Sequence, residues 1–297
     1  MAVVPSNLDL VAAAARPAKE RGPVWTYIRR HPTVVIGGGL LALMLAMAIF
    51  APWLGTVDPT ALSPAHRLRW PSAEYWFGSD MLGRDIYSRT IYGARVSLMV
   101  GLSVALLATG LGLAIGLVTG FNRWVDAVVM RVMDGLMAIP GILIAIALMA
   151  LTRASMGNVI FAITVAEVPR VTRLVRSVVL TLREQPFVEA AIASGTTQIR
   201  ILWRHIVPNT LATLLVQGTF ICASAMITEA ILSFLGAGTP PTIPSWGNIM
   251  AEGRAVFLVA YYIVLFPGIF LSLTVLAINL LGDGLRDAID PRLARRL

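Results

Sequence analysis

The chain has 297 residues, 57% of them hydrophobic and only 13% charged, with a formal charge of +8 and a mean hydropathy of +0.77. A soluble domain carries about 25% charged residues, so this deficit excludes an ordinary soluble protein and points to a membrane. The basic residues sit in short segments between apolar runs rather than on one stretch, which excludes a nucleic-acid binder, and the single cysteine, Cys222, excludes an intrachain disulfide or a cysteine-built zinc site.

Residues 1–25 read as a cytoplasmic tail: no basic residue precedes their Ala run, and the apolar core is too short for a signal peptide. Crossing a hydrocarbon core of about 30 Å takes about 20 apolar residues in a helix. Charge-free stretches of that scale run over 32–57, 96–122, 135–152, 206–228 and 255–282. A sixth, 154–166, is long enough only if Glu167 and Arg170 also lie within the helix. The fold class expected is all-α and polytopic, with six transmembrane helices. With the N-terminus inside, 17 of the 24 basic residues fall on cytoplasmic segments, and the surplus of Arg and Lys orients both termini to the cytoplasm. The segment 54–95 reads as an ordered outer cap against the membrane surface, from its Pro, Trp and Tyr content.

Within the spans, Gly112 and Gly116 permit close helix packing. Arg131 and Asp134 share one face near the start of span three, a structural arrangement. Pro140 and Pro267, each followed by Gly in mid-span, predict kinks that line a cavity. A charge inside a span is costly and is a functional candidate by default. Glu167 in span four therefore has two readings, a polar lining of a passage or a local pair with Arg170. Glu229, late in span five, is expected near the outer side, facing a passage or its gate. Trp246, in the Pro-rich stretch that follows, reads as interfacial in a bent outer or re-entrant segment. Asp283 and Arg286 form an ordinary helix-end pattern.

Residues 189–208, EAAIASGTTQIRILWRHIVP, are a polar island. The stretch 187–194 is helix-forming and rich in Ala. Gly195 tolerates the positive φ that ends a helix, Thr196 or Thr197 can cap a second helix, and Pro208 fits the first turn of span five. Two short helices with a tight turn are expected, projecting on the cytoplasmic side.

Glu-Ala-Ala, three residues, Gly, and a Pro thirteen beyond it is a pattern that resembles the cytoplasmic loop of ABC importer permeases. The ending RHIVPN, with His205 and Val207 where the general pattern has Ile and Leu, is similar to the peptide and nickel branch. FGSDMLGRDIYSRTIYGARVSL, RVMDGLMAIPGILIAIAL, ITEAILSFLGAGTPPTIPSWG and VLAINLLGDGLRDAIDPRL resemble the second, C-type permease of peptide importers, so that the likeness covers about residues 25–292. It implies the type I importer permease fold with a cytoplasmic coupling helix. The first transmembrane helix and outer loop would occupy 26–95, a permease core 96–285 with its coupling loop at 184–208, and a cytoplasmic tail 286–297. In that family the loop docks on a separate ATPase. Glu189 would meet a basic group there, Ala190 and Ala191 would allow close approach, Gly195 would give the turn, and His205 and Pro208 would close the motif. The family usually has an aromatic residue near Glu167, so this sequence departs there.

The implied partners are a second homologous permease, two P-loop ATPase subunits and an extracytoplasmic substrate-binding protein. A P-loop needs a Lys after its glycines, and the only lysine is Lys19, preceded by Pro17 and Ala18. No cofactor is expected on this chain, ATP and Mg²⁺ being used by the partners, and no metal site. Two other classes compete. A membrane enzyme lacks a constellation: there are three histidines, His31, His66 and His205, and neither H-E-x-x-H nor G-x-S-x-G. A secondary transporter often shows inverted repeats, and none is evident. Peptides are the substrate expected from the resemblance; nickel chelates, glutathione and opine-like compounds are the alternatives.

Overall fold

The computed structural model describes residues 32–289, so the tail expected at 1–25 lies outside the described residues, as does 290–297. The described chain is helical, with connecting turns. In order the helices are α1 (Pro32–Ile49), α2 (Ile86–Phe121), α3 (Arg123–Met137), α4 (Gly141–Leu151), α5 (Met156–Arg183), α6 (Pro186–Ala193), α7 (Gln198–Ile201), α8 (Val207–Phe234), α9 (Trp246–Gly253) and α10 (Tyr262–Ile289). The last helix continues past the boundary expected at residue 285.

Among the described residues, four helical stretches are long and apolar enough to cross a membrane: α1, α2, the continuous run Gln198–Phe234, and α10. The third expected span is not one straight helix. It breaks between Met137 and Gly141, where α3 and α4 meet at 89°. Pro140 carries no N–H and turns to φ −52°, ψ 128° as the residue preceding α4, which stops the ladder. The 11 residues of α4 reach only about 16 Å, so a crossing here needs both halves. α5 forms as one helix of 28 residues, about 42 Å long, but Glu167, Arg170, Arg173, Arg176 and Arg183 keep it out of the apolar set. Against the six spans expected, the described residues hold four apolar helices, or five with the bent pair, and α5 is too charged to count among them.

Two further boundaries differ from expectation. α2 starts at Ile86 because Asp85 caps it, its carboxylate accepting from the Ser88 N–H at 2.8 Å, so the last ten residues of the expected loop are helical. Pro267 falls in the second turn of α10 rather than mid-span, since that helix begins only at Tyr262.

The core is built on α2 and α5, the most extensive helix pair. Gly112, Gly116 and Gly120 form a ladder one turn apart on α2, and Val171, Val175 and Val179 form the matching ridge on α5. A Cβ on Gly116 would lie 2.6 Å from Val175. The glycines expected to allow close packing are therefore used inside the chain. α1 lies along α10, with Gly37 against Leu281 at one level and Gly284 against Thr33 and Val34 at another. The bundle has two unlike ends. One holds loop 50–85, α9 and the start of α10, here the loop end. The other holds α6, α7 and the end of α5, here the hairpin end.

Candidate functional site

At the hairpin end, α5 stops at Arg183 and Pro186 opens α6 at its first position, where a missing N–H costs nothing. α6 closes with backbone bonds from Ser194 N–H to Ala190 and Gly195 N–H to Ile192. Gly195 then turns at φ +73° with nothing within 4 Å of a Cβ placed there, so its backbone angle, not crowding, requires glycine. Thr197 occupies the N-cap of α7, though its side chain makes no capping bond.

Pro208 lies in the first turn of α8, as expected, but that helix does not begin separately. α7 passes through a π-helical turn, Leu202–Ile206, straight into α8. The wider turn takes up the proline's missing donor; nearby, the Asn209 amide donates to the His205 carbonyl at 2.6 Å and the Thr210 hydroxyl to that of Ile206 at 2.9 Å. The hairpin and the span are consequently one rod.

Val188, Ile201 and Ile206 are buried and fix the hairpin to the body, while Ile192, Ile199 and Trp203 are exposed. Glu189 and Ala190 are exposed and Ala191 is half-buried. Glu189 makes no ion pair among the described residues. His205 lies within 6.0 Å of the Phe187 ring, tying α6 to the π-turn. The structure therefore brings Glu189, Ala190, Ala191 and Gly195 together on one projecting element, with His205 and Pro208 at its root.

The four interior candidates lie apart from the hairpin. Pro140 is exposed at the bend between α3 and α4, and Pro267 is buried in α10. Glu167 is 8% exposed. It lies 3.5 Å from the Arg170 guanidinium and accepts weakly from Ser224 of α8 at 3.4 Å. Glu229 does not face an opening: it is fully buried. One carboxylate oxygen accepts from Ser233 at 2.8 Å, Ser245 at 2.9 Å and Thr239 at 3.4 Å. It pins the stretch after α8 back onto that helix, and Asn248 holds the same stretch through Thr239, Pro240 and Ile243. Trp246 is likewise buried rather than interfacial, its indole N–H donating to the Thr90 carbonyl at 2.9 Å.

Sequence reasoning missed a buried ion cluster at the loop end. Asp80 accepts from Arg84 Nε and from Arg89, both at 2.6 Å, and Glu252 of α9 accepts from both arginines at 2.5 Å. Arg89 and Asp80 are each 1% exposed. Two cations and two anions balance, as buried charges must. The visible signal was four charges, Asp80, Arg84, Asp85 and Arg89, within ten residues of a chain poor in charge. Asp134, read as sharing a helix face with Arg131, pairs with Arg173 of α5 at 2.5 Å. Arg176 meets Asp126 beside it, the second bond being 2.6 Å, so α3 is strapped to α5 twice.

The family model described as the inner membrane component of binding-protein-dependent transport systems matches residues 108–295. The chain belongs to that family. The N-terminal transmembrane domain of oligopeptide transport permease C matches residues 23–71, which places this permease in the peptide type. A probable peptide ABC transporter permease from Sinorhizobium fredii is 52% identical over 96% of this chain and 97% of its own. A dipeptide transport system permease from Alkalihalophilus pseudofirmus is 41% identical over 90% and 88%. A glutathione transport system permease from Pectobacterium atrosepticum is 39% identical over 91% and 90%. An inward-facing methionine ABC transporter shares the fold, with a TM-score of 0.54 and 20% identity over 68% of this permease and 96% of that chain. The permease is thus a multi-pass inner-membrane protein and a transport subunit, not an enzyme.

Proposed function

We propose that this permease forms half of a translocation pathway for di- or oligopeptides and receives the force of ATP hydrolysis through its 189–208 hairpin. A second homologous permease supplies the other half, two P-loop ATPases hydrolyse ATP with Mg²⁺, and an extracytoplasmic binding protein delivers substrate. The hairpin end faces the cytoplasm with both termini, and the loop end faces outward. The observation that carries this reading is the continuity of α7, the π-turn and α8 beneath an exposed Glu189 with no ion-pair partner among the described residues. A load applied to the hairpin moves the whole span. Exposed Ile192, Ile199 and Trp203 suit an apolar cleft around a basic group that meets Glu189, a charge-assisted contact.

Peptides are the substrate class because relatives at 52% and 41% identity are named for peptide and dipeptide transport. The relative named for glutathione makes that tripeptide the alternative to test, beside nickel chelates and opine-like compounds. The test is purification in mild detergent with mass spectrometry of bound chains, then uptake of dipeptide and glutathione by cells that depend on this permease. Recovery of a second permease and P-loop ATPases is expected. Gly195→Val, which strains the turn, should leave insertion intact and abolish ATP-driven uptake. Normal uptake in that variant would sink the coupling role.

A further inference from the structure

We propose that a lateral groove between α1, α2, α8 and α10 holds acyl chain from an anionic phospholipid whose phosphate sits on Arg95. The groove encloses about 840 Å³ and is walled by leucines, isoleucines and alanines. Its two threonines make no demand on a ligand, since Thr109 donates to the Ala105 carbonyl at 2.6 Å and Thr219 to that of Val216 at 2.7 Å. Among the described residues, Arg95 is the only charged one lining it.

The position of Arg95 selects the ligand. Its guanidinium donates through Nε to the Ala48 carbonyl and through one terminal nitrogen to that of Ile49 at 3.0 Å. It therefore lies level with the end of α1, where the apolar span stops and headgroups begin. The other terminal nitrogen makes no hydrogen bond among the described residues, and is free for a phosphate oxygen. Arg95 to Thr109 covers about 21 Å along α2 at 1.5 Å per residue, enough to pass through one leaflet's share, about 15 Å, of the hydrocarbon core.

A transmembrane helix of another subunit fits less well. Helix interfaces in membranes use small residues that let backbones approach, whereas the rim here carries exposed Leu102, Leu106 and Leu215. Covering Arg95 with an apolar helix would also strip it of water without supplying a countercharge.

The test is native mass spectrometry of the full chain with its co-purifying subunits, exposed to phosphatidylglycerol or to phosphatidylcholine of the same chain length. Retained phosphatidylglycerol is expected, favoured about fivefold, the ratio that an interaction of about 1 kcal/mol per arginine gives. Arg95→Gln, which keeps a donor for the α1 carbonyls, should erase that preference, and Leu102→Trp, which fills the groove, should lower retention of both lipids. If the filled variant fails to fold, the headgroup ratio of Arg95→Gln decides alone. No retained lipid, or an unchanged preference in Arg95→Gln, would overturn the proposal. So would a disulfide or maleimide cross-link from Leu106→Cys to another subunit, which would show that protein covers the groove.

Discussion

The loop end and the hairpin end of this permease are built on opposite principles. At the loop end polar groups are turned inward: Asp80, Arg84, Arg89 and Glu252 neutralise one another, Glu229 gathers three hydroxyls, and Trp246 is fully enclosed. At the hairpin end the polar groups and several large apolar ones face outward, and few bonds within the chain hold them. Inward polar groups must be satisfied by the chain itself, or their desolvation destabilises it. Outward ones leave folding nearly indifferent to their identity and are available to another subunit. Conspicuous residues therefore serve stability at one end and association at the other.

The strongest attack on that comparison is Arg89→Ala. It removes the most buried cation and leaves Asp80 and Glu252 with Arg84 alone, a loss of about 3–5 kcal/mol for breaking a buried pair. The amount of folded permease in membranes should collapse, and any surviving protein should melt far below the parent in a detergent thermal-shift measurement. Parental stability in this variant would mean that water reaches the cluster, and the contrast between the ends would fail.

A pair of glycine substitutions separates the two ends by packing. A Cβ on Gly247 would meet Ala230 Cα at 2.7 Å, whereas one on Gly195 meets nothing within 4 Å. Gly247→Ala must push α9 away from α8, an overpacking cost of about 1–3 kcal/mol. Gly195→Ala pays only for left-handed backbone, about 1 kcal/mol. Thermal shifts should rank Gly247→Ala as the more damaging, and the reverse order would show that the hairpin is packed more tightly than its exposure implies.

What could be read from the sequence follows the same division. The apolar runs marked the spans because membrane burial depends on composition over about 20 residues. The hairpin was legible because its causes are local: an Ala-rich helical run ends at Gly195, and threonines that can cap a helix follow at once. Pro140 announced a break, but not that α3 would turn 89° away from α4. The long-range polar contacts were not legible, because their partners are remote: Asp134 finds Arg173 at a separation of 39 residues, and Arg89 finds Glu252 at 163. A lone carboxylate reads alike whether it faces a passage or a closed set of hydroxyls, which is why Glu229 was expected at a gate. Pro208 lies in the first turn of span five as expected, but the π-turn that joins that span to α7 was not legible, since such a turn depends on how the surrounding residues pack.

The smallest effect on stability should come from Glu189→Gln. The side chain is exposed and has no ion pair among the described residues, so the change should fall within about ±0.5 kcal/mol, as surface substitutions do, and the melting curve should overlay the parent's. Association should respond instead. If Glu189 meets a basic group in a cleft, the charge-neutral amide weakens that contact, so less ATPase should co-purify at low salt and retention should fall less steeply with salt than in the parent, because the charge pair that salt screens is gone. A titration of ATPase retention against salt, run beside the melting curve, separates the two roles. Lost retention at unchanged stability marks a docking carboxylate, whereas lost stability at unchanged retention would place Glu189 with the structural groups of the opposite end.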